Sequence, residues 1–140
     1  MTKDYILDTS AILSFIRNEQ GSDTVEKILN DGRMRKIKIY ISFITFMEIY
    51  YTVWKYAGEA KALEVMVLMN ALPFEHVHST DRLSLSAGRI KANNKLSVAD
   101  AFIAATAIEK KAILVHKDPE LAMMQKYVES LILPFKKDKN

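Results

Sequence analysis

The chain has no cysteine among its 140 residues. That excludes disulfides, thiolate zinc sites and a cysteine nucleophile, and it fits a reducing compartment. Glycine and proline are scarce, at four and three residues, and no linker, internal repeat or low-complexity stretch breaks the sequence. No apolar run is long and uninterrupted enough to cross a bilayer. The first one is short and carries Asp4 and Asp8, which is wrong for a secretory signal, so the expected location is the cytoplasm and no membrane is expected as a partner. A net charge of +3 permits an anionic partner without demanding one. Lysine and arginine do gather at Arg33, Arg35, Lys36 and Lys38, and again at Lys136, Lys137 and Lys139. A solvated surface and a frayed terminus account for both groups.

What is present is the makeup of one globular domain: 49% hydrophobic and 26% charged residues, in a chain long enough to bury a full core. The expected boundaries are a single domain over 1–135 and a basic tail over 136–140. "KDYILD" reads as a short buried strand, followed by a helix over "SAILSFIRN" and another over "TVEKILNDG" with a stop at Gly32. "KIKIYIS" is β-branched and alternating, a strand. Helices follow over "FITFMEIYYTVWKY", ending near Gly58, and over "EAKALEVMVLMNAL". "FEHVH" is a brief strand. "TDRLSLSAGRIKANNK" and "SVADAFIAATAIEKK" are helices, "AILVH" is a strand, and a short helix after Pro119 leads to a last strand in "LILPF". Strands alternating with helices imply right-handed crossovers and a three-layer α/β/α domain around a mostly parallel sheet.

Four acids invite attention: Asp8, Glu48, Asp100 and Asp118. Taken singly, each has a sufficient local explanation. Asp8 suits a helix N-cap. "TFME" and "SVAD" match capping boxes, Thr45 with Glu48 and Ser97 with Asp100. Asp118 precedes Pro119, a cap followed by proline at the first helical position. Placed on a parallel sheet, however, the four converge. Asp8 ends the first strand, Asp118 follows the "AILVH" strand, and Asp100 lies in the first turn of the helix that returns to it. Glu48 is roughly 9 Å along its helix from the second strand. All four point to the carboxyl edge of the sheet, where ligands of open α/β folds bind. Carboxylates gathered in one cleft repel each other unless a cation sits among them. Oxygen donors without thiolate or spaced histidine suit Mg²⁺ or Mn²⁺ rather than zinc.

"YILDTSAIL", "ITFMEI", "LSVADAFIAATA" and "LVHKD" resemble, in order and spacing over essentially the whole chain, the PIN-domain nucleases, and especially the small VapC-type toxins of toxin–antitoxin pairs. The resemblance implies a PIN-like fold and a Mg²⁺- or Mn²⁺-dependent endoribonuclease that hydrolyses RNA. It assigns Asp8, Glu48, Asp100 and Asp118 to the acidic cluster and Ser10 to the small hydroxyl residue beside the first aspartate. Asp8 and Asp100 are expected as direct metal ligands and Glu48 as a ligand or an orienter of water. Asp118 is expected to act on a second metal or from outside the coordination sphere. The chain departs from the pattern at His116, where family members usually carry threonine, and at Lys95 and Leu96, where a glycine is common.

An apolar stripe of Phe43, Phe46, Met47, Tyr50, Tyr51 and Trp54, continued by Val65, Met66, Leu68 and Met69, is wider than one sheet face requires. A homodimer is expected from it, and the resemblance adds a cognate antitoxin protein as a second partner. The histidines of "HVH", His76 and His78, read as surface or packing residues. The rival from another class is a non-catalytic PIN-like module that holds RNA or protein without cutting. A phospho-accepting receiver domain is a weaker rival, since it needs two acids after the first strand and "LDTS" offers one.

Overall fold

Five short β-branched or aliphatic segments pair in parallel throughout, and the computed structural model describes residues 3–135 around them. The strands are β1 (Tyr5–Leu7), β2 (Ile39–Ser42), β3 (Phe74–Val77), β4 (Ile113–His116) and β5 (Ser130–Ile132). Their order in the sheet is β3-β2-β1-β4-β5. The expected mostly parallel sheet is thus wholly parallel among the described residues. The tail at 136–140, with Lys136, Lys137 and Lys139, lies outside the described residues.

Between the strands run α1 (Thr9–Ile16), α2 (Ser22–Arg33), α3 (Phe43–Ala57), α4 (Glu59–Ala71), α5 (Asp81–Asn93) and α6 (Val98–Lys110), with a 3₁₀ segment at Leu121–Lys126. Alternation along the strands divides the core. Leu7, Ile39, Ile41 and Val115 face α1 to α4, meeting Ile12, Leu29, Ile49, Val53, Val65 and Met69. Ile6, Tyr40 and Leu114 face the other way, onto Ile103, Ala104 and Ala107 of α6 and onto Leu121 and Met124. α5 packs outside α6 through Leu83, Ala87, Ala101 and Ala105, where small side chains let the helices close up. No helix among the described residues is long and apolar enough to cross a membrane.

Two glycines act differently from one another. Gly58, at φ 90°, ends α3 and opens α4, so the two helices fold back on each other. Gly32 is no stop, contrary to the sequence expectation. α2 continues to Arg33, and a Cβ at Gly32 would come within 2.5 Å of Ile39 Cδ1. The glycine is there for a close approach of helix to strand. β2 is shorter than expected: Lys36 and Ile37 lie in a bend, Lys38 reaches β1 only through its carbonyl, which accepts Tyr5 N–H at 3.0 Å, and the buried strand is Ile39–Ser42. Arg33, Arg35, Lys36 and Lys38 therefore gather at the amino end of β2, on the opposite rim of the sheet from the acids.

Candidate metal centre

The strand order reverses direction at β1. The chain first builds outward through β2 and β3, then crosses to place β4 on the other side of β1. Chain exits on the two sides of such a point diverge and leave a crevice at the carboxyl edge. Asp8 follows β1 directly, and its N–H bonds Val115 O of β4 at 3.1 Å. Asp118 lies two residues past the end of β4. The first turn of α6 overhangs the same crevice and carries Asp100. One carboxylate oxygen from each of Asp8, Asp100 and Asp118 lies within 4.8 Å of the others. Asp8 and Asp100 are buried and Asp118 is half-buried, so the cluster opens to solvent on the Asp118 side.

Glu48 stands apart from that group. It is half-buried on α3, and its Oε1 accepts the Thr9 hydroxyl at 2.6 Å, which places it beside the Asp8 turn. His76 is also elsewhere: its ring packs edge-on against Phe46 at 5.6 Å, while His78 is exposed beyond β3.

The acids differ in how far helix capping accounts for them. Asp8 does cap α1, accepting Ala11 N–H at 2.8 Å, and Asp118 Oδ1 accepts Glu120 N–H at 2.9 Å. The two capping boxes fail. The N-cap of α3 is Ser42, not Thr45, whose buried hydroxyl finds no partner among the described residues. In α6, Ser97 Oγ accepts Asp100 N–H at 3.2 Å, the first half of a box. The return bond is taken by another acid, because Ser97 N–H donates to Glu120 Oε1 at 2.6 Å. Glu120 thus leaves the Asp100 carboxyl free for the crevice.

Ser10 is the junction of the site. Its hydroxyl lies 2.7 and 2.8 Å from the two Asp8 oxygens and accepts Lys117 N–H at 2.7 Å. One side chain therefore orients the Asp8 carboxyl and ties the β4 exit to α1. The Lys117 ammonium does not reach the acids. It donates to Gln20 O at 2.9 Å and lies 4.0 Å from Glu19. Sequence reasoning missed Thr9, Glu120 and Lys117. The first two are polar neighbours of recognised acids in "LDTS" and "DPE", a signal that was available. Lys117 acts through its backbone, which leaves no mark in sequence.

The electrostatics follow from this enclosure. Burial pushes the Asp8 carboxyl up to about 7, against the Ala11 and Ser10 hydrogen bonds that favour its charge. Burial likewise raises Asp100, to about 8, aided by the charge of Asp118, a hydrogen bond with it, and the charges of Asp8 and Glu120. No lysine or arginine among the described residues pairs with any of the three. Three hard oxygen donors, two of them reluctant to ionise beside each other and none paired with an internal cation, fit a divalent ion of the Mg²⁺ or Mn²⁺ kind.

A PIN domain family model matches residues 5–127. The chain belongs to the PIN-domain family. No curated protein sequence matches it, but this PIN domain resembles many solved structures. The DNA-bound VapBC complex of Salmonella typhimurium superposes with a TM-score of 0.73 at 18% identity, over 94% of this chain and 98% of that one. A VapBC2 complex of Rickettsia felis bound to a promoter DNA fragment gives 0.70 at 16%, over 93% and 98%. A toxin–antitoxin complex from Klebsiella pneumoniae gives 0.64 at 19%, over 85% and 91%. At these identities the likeness is one of fold. The expected three-layer PIN-like architecture is the observed one.

Proposed function

We propose that this PIN domain is a metal-dependent endoribonuclease of the VapC type, the toxin of a toxin–antitoxin pair acting in the cytoplasm. The observation that carries the reading is the meeting of Asp8, Asp100 and Asp118 within 4.8 Å at the switch point of the sheet, with no lysine or arginine among the described residues paired to them. Asp8, Asp100 and Asp118 would hold a Mg²⁺ or Mn²⁺ ion, with Glu48 beside them through Thr9. Such an ion, when bound, neutralises charge at a phosphodiester and acidifies water.

The protein's own part is orientation and proton bookkeeping. The Ser10 hydroxyl, shared between both oxygens of Asp8, and the Ala11 N–H together orient that carboxylate. Ser97 and Glu120 fix the first turn of α6 and with it the height of Asp100 above the sheet. Asp8 and Asp100 release protons when a cation takes their place in the balance of charge. Water attacking phosphorus in line with the 3′-oxygen, which leaves as the 3′-hydroxyl, would give 5′-phosphate and 3′-hydroxyl ends and make no use of the ribose 2′-hydroxyl.

RNA as the substrate and an antitoxin as the partner are supported by the family and by neighbours that are toxin–antitoxin complexes. Homodimerisation is supported by apolar side chains left exposed on α3 and α4, among them Met47, Tyr51, Trp54, Leu63 and Val67. Light scattering at micromolar concentration tests it, and a monomer counts against it. The decisive experiment for the activity is incubation of total RNA with and without Mn²⁺ or Mg²⁺, followed by mapping of the ends. Cleavage should stop with chelator and with Asp100→Asn. Cleavage indifferent to chelator, or ends with a 2′,3′-cyclic phosphate, would refute the mechanism. RNA binding without any cleavage would favour the non-catalytic module instead.

A further inference from the structure

We propose that His116 is a positioning residue for Asp118, its Nδ1 accepting the Asp118 N–H and so fixing the turn that delivers this carboxylate to the acid cluster. The inference rests on the metal-centre reading above. His116 ends β4 on the face shared with Leu114, and it is fully buried. Its Nδ1 lies 3.1 Å from Asp118 N. A donor N–H demands a lone pair on Nδ1, so the ring is neutral and carries its proton on Nε2. Nε2 is itself buried and has no hydrogen-bond partner among the described residues. A residue serving packing alone would not strand a donor there, so what the imidazole contributes is its accepting nitrogen.

The turn shows why that nitrogen matters. Lys117 N–H goes to Ser10 Oγ, Asp118 N–H to His116 Nδ1, and Glu120 N–H to Asp118 Oδ1, while Pro119 has no N–H to place. Every amide of the turn is received by a side chain. Its shape is written in three acceptors, and His116 is the one that holds the backbone of Asp118 itself.

The test is calorimetric titration of the full chain with Mn²⁺ alone, using wild type, His116→Leu, His116→Asn and Asp100→Asn. Outer-shell partners of metal ligands change affinity by about 10–100-fold. His116→Leu should weaken Mn²⁺ binding at least tenfold while remaining folded by circular dichroism. His116→Asn, whose Oδ1 stands where Nδ1 was, should recover most of the loss. Wild-type affinity in His116→Leu, or no recovery in a folded His116→Asn, overturns the proposal. If the leucine variant does not fold, long-range ¹H–¹⁵N spectra of wild-type protein decide: a bare Nδ1 and protonated Nε2 support it, and the other tautomer or a charged ring overturns it. A wild type that binds no Mn²⁺, or an Asp100→Asn that binds it equally well, sinks the metal-centre reading, and the spectra still judge the His116–Asp118 bond by itself.

Discussion

Asp100→Asn should make the metal-free protein more stable at pH 8, not less. The carboxyl has a pKa of about 8 in the fold and about 3.9 in an unfolded chain. Its contribution is therefore fully present below pH ~4 and is lost as pH rises toward ~8, because the unfolded state gives up the proton first. Four units at about 1.4 kcal/mol each set an upper limit of ~6 kcal/mol. Part of the rise comes from the charges of Asp118 and Asp8, which solvent on the open side of the crevice screens. About half, ~2–3 kcal/mol, should therefore appear as the advantage of asparagine at pH 8, shrinking toward zero at pH ~4. In a chain of this size that is a melting-temperature gap of roughly 8 °C. Thermal unfolding followed by circular dichroism in chelator, at pH 4.5 and pH 8, measures it. Adding Mn²⁺ should reverse the order, raising the wild type and leaving the variant nearly unmoved. A variant that melts lower at both values of pH would refute the reasoning, and would mean that the Asp100 carboxyl supports the helix end after all.

Ser10→Ala removes the hydroxyl shared by Asp8 and Lys117 N–H. It should cost about 1–2 kcal/mol in urea unfolding and push the Asp8 carboxyl above about 7, read by NMR titration of that group. Glu120→Ala strips the acceptor from Ser97 N–H and should cost about 1 kcal/mol, with Glu120→Gln recovering most of it. Equal melting of the two variants would show that the bond contributes nothing. Thr9→Val frees Glu48 from its hydroxyl donor and should lower RNA cleavage while leaving the melting temperature within a few degrees. Unchanged cleavage would remove Glu48 from the site.

Much of this fold was legible because its signals are local. Short β-branched strands alternating with amphipathic helices imply parallel crossovers, and parallel crossovers put strand exits at one edge. That is why Asp8, Asp100 and Asp118 could be expected to meet. Where local signals compete with tertiary ones, the sequence misleads. Gly32 has the form of a helix stop, yet its missing Cβ serves the contact with Ile39. "SVAD" has the form of a capping box, yet Glu120, 23 residues along from Ser97, takes the reciprocal bond. "TFME" fails because Ser42 caps α3 one turn earlier. Glu48, read as a fourth member, is held by Thr9 from a different element, a contact that no spacing rule anticipates. Backbone donors such as Lys117 N–H carry no residue identity and stay invisible until the chain is folded.

The bond from Lys117 to Ser10 spans 107 positions, and it closes the acid crevice. Contacts that far apart form late and open early, since a long loop must be closed before they give any return. A chain just emerging from the ribosome can complete β1, β2 and β3 and still own only one or two of its carboxylates in register. Gentle denaturation should likewise dismantle the crevice while most helices persist. The acid crevice should therefore be among the last parts of the molecule to assemble and among the first to come apart.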